Sequence, residues 1–258
     1  MSNLQLRPYY VASLSGGKDS LYMLGVILDN IDKYPLDACV HYELEIDYPF
    51  VKNVIDDMKD RIEKLGIPFF IFKPRYSWYD QVERYGIPTR KVRWCNKYKM
   101  DCNVQLKQFL RGKGLRTVQY IGFCADEESR FKYTIGEFDS NSEFIYPLAE
   151  EGIIEQDILK WAKSQPIFNN YYKYNFRQGC MYCPMASIDN LTYLAKFYPY
   201  EFEWFIDKCI ETENIYHTGV FQSQSKYNAQ YYKEIIKNKY LPRLEDAMAY
   251  QQMSLFDN

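Results

Sequence analysis

A glycine-rich turn between an apolar run and a segment of helical pattern is the feature that most restricts the fold of this chain. The turn reads SGGKDS and follows the apolar run Tyr9 to Leu14. Glycines in a strand-to-helix turn let backbone N–H groups converge on an anion, and the helix N-terminus adds positive potential. We therefore predict a nucleotide phosphate site formed by Ser15, Gly16, Gly17, Lys18, Asp19 and Ser20.

The last three residues of this turn have side chains that suit a phosphate site. Lys18 supplies a point charge, Asp19 can cap the helix or bind Mg²⁺, and Ser20 offers a hydroxyl. A Walker A loop is excluded because it requires glycine where Ala12 stands, and the pattern G-x-G-x-x-G is absent. An ordinary strand-to-helix turn is the alternative interpretation.

Four runs of apolar, β-branched and aromatic residues predict buried strands, and segments of helical pattern lie between the first three of these runs. This alternation predicts an α/β fold with a doubly wound parallel sheet. The stripe of apolar residues from Val51 to Leu65 predicts a helix packed on that sheet, ended by Gly66. Glu45, Cys124 and Asp126 follow strand ends, so we expect them near the glycine turn. The four predicted strands are Tyr9–Leu14, Ala38–Leu44, Phe69–Phe72 and Val118–Phe123.

The pattern changes after Pro147 to short helices, which we predict at Glu155–Lys163, Leu191–Phe197 and Glu201–Thr212. We therefore predict a nucleotide-binding domain over residues 1–147, a smaller, mostly helical region over 148–248 and a flexible tail over 249–258. No apolar run reaches the length of a membrane span, and the N-terminus lacks the apolar centre of a secretion signal. We expect a cytoplasmic protein with no membrane contact.

Composition limits the class of protein further. The chain has 258 residues, a net charge of -2 and 26 tyrosines. A chain of this length can form one substantial hydrophobic core and a smaller additional region. The small negative net charge excludes a protein-wide positive potential that would attract nucleic acid. Seven scattered cysteines, an odd number, favour thiols or metal ligands over a disulfide framework.

Four sequence blocks carry a resemblance to a known family. SGGKDS resembles the PP-loop of the ATP pyrophosphatases, which cleave ATP between the α and β phosphates. RWCNKYKM at Arg93, IGFCADEESR at Ile121 and RQGCMYCP at Arg177 resemble blocks of the phosphoadenosine phosphosulfate (PAPS) reductase family. The resemblance covers roughly the first 190 residues and implies an adenine nucleotide alpha hydrolase-like, Rossmann-like fold.

The resemblance also implies site residues. Lys18, Asp19 and Arg130 would be catalytic, with ATP and Mg²⁺ bound at the glycine turn. Cys124 stands where the family pattern has arginine, which removes one phosphate contact. The residues implied to bind substrate or another anion are Arg93, Arg130 and Arg177.

A cysteine-rich metal site is the second implied centre. Cys180 and Cys183 form a C-x-x-C pair, and Cys95 supplies a third thiolate from another block. An all-sulfur donor set favours a 4Fe-4S cluster, with zinc as the alternative. Redox-active thiols and structural cysteines are the other interpretations. The fourth ligand is open between Cys124 and Cys102, although the helical spacing of Cys102 favours a core residue.

A basic run lies beside Cys95. Its cations could bind phosphate or a nucleic-acid backbone, or form an ordinary solvated face. They are Arg90, Lys91, Arg93, Lys97 and Lys99.

Three functions are consistent with these features. The first is ATP-dependent adenylyl transfer in sulfur metabolism or sulfur transfer. The second is thiol-dependent reduction of a sulfonucleotide, although no cysteine follows Cys209 to supply the C-terminal nucleophile of such enzymes. The third is a non-catalytic nucleotide-binding module associated with DNA.

The stretch QMSLF near the end of the chain resembles the pentapeptide by which bacterial DNA-associated proteins bind the sliding clamp. A flexible tail could bury the apolar side chains as anchors and use the glutamine for hydrogen bonds. Packing on the protein's own helices is the alternative. The residues concerned are Gln252, Met253, Leu255 and Phe256.

Overall fold

The computed structural model describes residues 6–127, 142–168, 171–175, 177–221 and 228–254. Contacts divide the chain into two compact units. Unit 1 comprises Met1–Arg75 and Lys97–Phe176, and unit 2 comprises Tyr76–Asn96 and Arg177–Asn258.

Unit 1 contains a five-stranded parallel sheet with the order β3-β2-β1-β4-β5, so β1 is central. The chain moves outward from β1 in one direction and then restarts beside it in the other, which is the doubly wound arrangement. The α/β fold and the parallel sheet predicted from sequence are confirmed. The strands are β1 (Arg7–Ser13), β2 (Ala38–Tyr42), β3 (Phe69–Phe72), β4 (Leu115–Tyr120) and β5 (Ser142–Ile145).

Of the described helices of unit 1, the first three lie between these strands along the chain and the last three follow β5. A 3₁₀ turn covers Ala125–Glu127 and another covers Pro166–Phe168. The helices are α1 (Lys18–Asp29), α2 (Pro49–Lys64), α4 (Cys95–Gly112, whose first two residues belong to unit 2), α5 (Pro147–Glu150), α6 (Glu155–Ser164) and α7 (Tyr171–Tyr174).

One core cluster of unit 1 lies between α4 and the sheet. Val11 and Val40 from neighbouring strands pack with Leu106 and Leu110, and each is at most 1% exposed. Residues four apart on a helix share one face, so α4 presents a continuous apolar stripe to the strands. This packing fixes the sheet on which the glycine turn is mounted.

The boundary predicted near Pro147 falls inside unit 1. Both α5 and α6 pack against α1. Just beyond α1, Lys33 Nζ lies 2.6 Å from Oε1 of Glu151, and the Tyr34 hydroxyl donates to the same oxygen at 2.8 Å. These contacts join the segment after Pro147 to the sheet domain.

Unit 2 is helical in its described parts. It contains α3 (Trp78–Tyr85), α8 (Ile188–Phe197), α9 (Pro199–Tyr216), α10 (Ala229–Ile235), a π-helical turn (Ile236–Tyr240) and α11 (Leu241–Ser254).

Helix α11 continues through Ser254, so the first six residues of the predicted flexible tail are helical. Ala, Gln and Met are good helix formers, and no glycine or proline follows Pro242 in this helix. Residues 255–258 lie outside the described part of the chain. Among the described residues, no helix has both the length and the apolar character needed to cross a bilayer.

Candidate nucleotide site and cysteine turn

The glycine turn joins the central strand to α1 at the carboxyl edge of the sheet. Leu14 N donates to Val40 O at 2.8 Å, which holds the start of the turn against β2. Gly16 has φ 74°, and a Cβ there would lie 2.7 Å from Cγ1 of Val51. Both the backbone angle and the close approach require glycine at this position.

Ser15 and Ser20 close the turn with their own hydrogen bonds. Ser15 N donates to Ser20 Oγ at 3.1 Å, and Ser20 Oγ donates to Gly17 O at 3.0 Å. Gly17 N donates to Ser15 Oγ at 3.3 Å. The two hydroxyls therefore shape the turn from inside, a role that the sequence alone does not specify.

Lys18 is buried, with 1% of its side chain exposed. Its Nζ lies 2.6 Å from Oδ1 of Asp19 and 3.2 Å from Oε1 of Glu155. Burial raises the pKa of Asp19, and the lysine opposes that rise. A buried cation between two carboxylates can exchange one of them for a phosphate oxygen without leaving its position.

Tyr172 holds the backbone of the same lysine. Lys18 N donates to the Tyr172 hydroxyl oxygen at 2.9 Å, and Tyr172 is 2% exposed. Burial raises the pKa of this phenol, so it is neutral. Sequence reasoning missed both Tyr172 and Glu155, because neither has a local motif that links it to the turn.

The segment after β4 approaches the first turn of α1. A Cβ on Gly122 would lie 2.9 Å from the backbone oxygen of Asp19, so only glycine permits this approach. Cys124 is buried, and its Sγ lies 3.9 Å from Oδ1 of Asp19. Burial raises the pKa of the Cys124 thiol to about 12, so a thiolate is disfavoured in this environment.

Acidic residues follow Cys124. Glu127 Oε2 accepts a 3.3 Å hydrogen bond from Cys124 N, and Asp126 Oδ1 accepts one of 3.1 Å from Glu155 N. The second bond joins the end of β4 to the start of α6. Glu45 follows β2 and accepts a 3.2 Å hydrogen bond from the Tyr98 hydroxyl. Arg130 lies outside the described residues.

The C-x-x-C pair forms a turn in unit 2. Cys180 and Cys183 are half-buried, and Cys183 Sγ accepts a 3.4 Å hydrogen bond from Met185 N. Ala186 N donates to Cys183 O at 3.0 Å, which closes the turn before α8. Hydrogen bonds from backbone N–H groups to cysteine sulfur are typical of metal-bound thiolates, because they stabilise negative charge on sulfur.

Cys95 is the first residue of α4 and is buried. It belongs to unit 2, as do Cys180 and Cys183. The seven cysteines all lie in the described ranges and form no disulfide there. The donor chemistry of the three thiols fits a sulfur-ligated cluster. Within the same ranges, however, no three His, Cys, Asp or Glu side chains are close enough together to hold a metal ion.

The two candidates for a fourth ligand belong to unit 1. Cys102 is 0% exposed in α4, as expected for the core residue that its spacing indicated, and burial raises its pKa to about 12.

Among the predicted anion-binding residues, Arg93 and Arg177 are exposed in unit 2.

A parallel sheet with a glycine turn at the carboxyl end of its central strand defines the class of doubly wound, Rossmann-like α/β proteins. The family profile described as the phosphoadenosine phosphosulfate reductase domain matches residues 9–186. The chain belongs to this family, as the sequence blocks indicated.

Two curated proteins of Methanocaldococcus jannaschii are similar to the chain. Uncharacterized protein MJ0973 is 27% identical over 207 residues, which are 76% of this chain and 46% of that protein. Uncharacterized protein MJ0066 is 24% identical over 208 residues, 75% of this chain and 39% of that protein. The chain therefore spans less than half the length of these relatives.

Two solved structures are also similar to it. The U34-tRNA thiolase NcsA from Methanococcus maripaludis, with its 4Fe-4S cluster, has 16% identity and a TM-score of 0.43 over 91% of this chain and 74% of that one. The phosphoadenylyl-sulfate reductase from Candida auris, in a phosphate complex, has 15% identity and a TM-score of 0.40 over 67% of this chain and 81% of that one.

Proposed function

We propose that this protein binds ATP with Mg²⁺ at the glycine turn and uses it to activate a substrate by adenylyl transfer, in a pathway of sulfur transfer. The observation that carries the proposal is the buried Lys18, held between Asp19 and Glu155 at the carboxyl end of the central strand. Membership of the family supports an adenine nucleotide as the ligand.

In the proposed step, a nucleophilic oxygen of the acceptor attacks the α-phosphorus of ATP. A new P–O bond forms while the bond to the bridging oxygen breaks, and pyrophosphate leaves with that electron pair. Lys18 would contact the leaving phosphates, where negative charge develops and electrostatic stabilisation is most effective. Asp19, with 33% of its side chain exposed, would bind Mg²⁺, and Arg130 would hold the acceptor.

We further propose that Cys95, Cys180 and Cys183 hold a 4Fe-4S cluster, with zinc as the alternative metal. The support is their common unit, their sulfur-only chemistry and the N–H bond to Cys183 Sγ. Binding would require the three side chains to come closer together than they lie in this structure. These three thiolates would hold the cluster, which would supply sulfur-transfer chemistry to the activated substrate. The fourth ligand stays open between Cys124 and Cys102, which are equally buried.

Reduction of a sulfonucleotide is the second candidate, because it is the activity that names the matching family domain. The lysine in SGGKDS favours ATP over a sulfonucleotide as the ligand. A nucleotide-binding module without turnover is the third candidate.

An exchange assay distinguishes these candidates. Labelled pyrophosphate should enter ATP in the presence of protein, Mg²⁺ and an acceptor, and Lys18→Ala should abolish the exchange. Release of sulfite from PAPS without any exchange would instead identify a reductase. Nucleotide binding without either reaction would identify the non-catalytic module.

Binding of a DNA sliding clamp by Gln252, Met253, Leu255 and Phe256 is a separate proposal, supported by the pentapeptide alone. The first two of these residues lie in α11, so clamp binding in an extended form would require the end of this helix to unwind. A fluorescent peptide of residues 249–258 should bind the host clamp with a Kd on the order of micromolar. Equal binding by the Leu255→Ala/Phe256→Ala peptide would contradict it.

A further inference from the structure

Unit 2 carries an exposed cationic turn, residues 89–93, named here the basic turn. Arg90, Lys91 and Arg93 are all exposed, and Val92 between them is 64% exposed. The surrounding stretch RYGIPTRKVRWCNKYKM, residues 84–100, contains Lys and Arg but no Asp or Glu, in a chain of net charge -2. We propose that the basic turn binds the sugar-phosphate backbone of a nucleic acid.

The backbone of the basic turn is closed by two hydrogen bonds. Thr89 N donates to Val92 O at 3.1 Å, and Val92 N donates to Thr89 Oγ1 at 3.0 Å. Thr89 is 4% exposed, and Arg90 N donates to Val220 O at 3.3 Å. The cations therefore project from an ordered backbone, which reduces the entropy lost when they bind a partner.

Both ends of the basic turn are anchored within unit 2. Before it, Ile87 N donates to Thr212 Oγ1 at 2.9 Å, and a Cβ on Gly86 would lie 2.6 Å from the same oxygen. After it, Trp94 Nε1 donates to Gly86 O at 3.1 Å, and the Trp94 ring lies 4.5 Å from that of Trp78. The turn is thus part of the packed structure of this unit.

The three cations of the basic turn, which lie within four positions of one another, have no ion-pair partner among the described residues. Elsewhere the structure pairs several exposed or half-buried cations with carboxylates, as in Lys33–Glu151, Lys52–Asp56, Arg61–Asp57, Lys73–Glu43, Arg116–Glu143, Lys196–Glu245, Lys208–Glu83 and Lys233–Asp207.

Three neighbouring cations without carboxylates repel one another, and a polyanion relieves that repulsion while it releases counterions. Their spread over four positions suits a chain of phosphates better than a single phosphate group. Tyr85, 45% exposed at the end of α3, adds an aromatic face of the kind on which bases stack.

Fluorescence anisotropy with labelled single-stranded RNA, single-stranded DNA and duplex DNA tests the proposal. The full chain should bind at least one of these probes saturably, with an affinity that falls as salt rises. Each phosphate contact contributes about 0.7 to 0.9 to the slope of log affinity against log salt. Replacing all three cations in Arg90→Gln/Lys91→Gln/Arg93→Gln should therefore reduce that slope by about 2 to 3 and weaken binding more than about tenfold at low salt.

Two control variants show whether nucleic-acid binding depends on the cations of the basic turn rather than on the net charge or on loss of folding. Lys64→Gln/Arg111→Gln/Lys160→Gln removes the same charge from exposed positions of unit 1 and should bind like the wild type. Arg90→Lys/Lys91→Arg/Arg93→Lys keeps the charges and should retain the salt slope. Thermal melts of all variants check that each is folded, and single Gln substitutions replace the triple variant if it is not.

Three results would overturn the proposal. These are no saturable binding of any probe, equal losses in the two charge-removing variants, and binding of polyglutamate but not of nucleic acid. The assay contains no ATP, so a failure here is distinct from a failure of the proposed adenylyl transfer.

Discussion

The backbone N–H of Lys18 donates a 2.9 Å hydrogen bond to the hydroxyl of Tyr172, a residue 154 positions further along the chain. The side chain of the same lysine is held by Asp19 and by Glu155, 137 positions away. Two helices after the fifth strand therefore fix the residue on which the proposed ATP site depends, and this relationship can be tested residue by residue.

Tyr172→Phe removes the acceptor of a buried N–H while it keeps the ring. An unsatisfied buried donor costs about 1 to 3 kcal/mol, so the free energy of unfolding should fall by that amount. Because the lost bond lies at the first residue of α1, ATP affinity should fall as well. Tyr9→Phe is the matched control, since its hydroxyl donates to Asp37 O at the opposite end of β1. Denaturant titrations and ATP titrations of both variants separate stability from affinity, and unchanged ATP affinity in Tyr172→Phe would contradict the assignment.

Lys18→Met leaves Asp19 and Glu155 beside each other without a cation. Burial already raises the pKa of Asp19, and loss of Lys18 removes the main opposing influence. A carboxyl whose pKa is higher in the folded state stabilises that state at low pH, and this stabilisation is lost as pH rises through the folded pKa. The free energy of unfolding of the variant should therefore approach that of the wild type in acid. Near pH 7 it should be about 2 to 4 kcal/mol lower, a smaller loss than for a fully buried ion pair.

Unfolding free energies measured from acid to neutral pH test this expectation. The double variant Lys18→Met/Glu155→Gln has one carboxylate fewer and should be more stable than Lys18→Met at neutral pH. A stability deficit that is the same at every pH would contradict the ion-pair explanation.

Three glycine substitutions distinguish glycines that are needed because other atoms lie too close for a side chain from a glycine that only makes the chain more flexible. Gly16→Ala places a Cβ 2.7 Å from Val51 and requires a strained positive φ, and Gly122→Ala places one 2.9 Å from the backbone of Asp19. Each should lower stability by roughly 1 to 3 kcal/mol and weaken ATP binding. Gly25→Ala, which meets nothing within 4 Å in the middle of α1, should instead stabilise the protein by about 0.5 to 1 kcal/mol. Equal melting temperatures for all three would contradict this account.

Most of the sheet could be predicted from sequence because its strands are buried runs of apolar residues. The fourth strand begins at Leu115, three residues before the predicted start at Val118, since Arg116 and Thr117 interrupt the apolar run. Strand β5 was missed because Ser142–Ile145 has only four residues, of which two are polar.

The site could be predicted only as far as its local motif extends. The SGGKDS pattern identifies the turn, but Glu155 and Tyr172 reach it through tertiary packing, for which a single sequence has no signal. Gly122 could have been found, because a glycine just after a strand often marks a close approach of two backbones. The contacts of Asp126 with α6 depend equally on the folded chain.

Anaerobically purified protein should contain iron and acid-labile sulfide if the cysteine turn holds a cluster. Cys180→Ser and Cys95→Ser should each lower the iron content and the visible absorbance, because serine oxygen is a poor ligand for such clusters. Cys39→Ala is the matched control, since Cys39 is buried in β2. Stoichiometric zinc would identify the alternative metal, and metal-free protein with unchanged stability in Cys180→Ser would contradict both.

Isothermal titration calorimetry of the full chain with ATP and with PAPS, each in the presence of Mg²⁺, tests the central claim most directly. We expect saturable ATP binding that Lys18→Ala weakens by about 1.5 to 3 kcal/mol, roughly ten- to a hundredfold, because a charged hydrogen bond to phosphate is lost. Tight binding of PAPS with no heat from ATP would contradict the claim that SGGKDS is an ATP site.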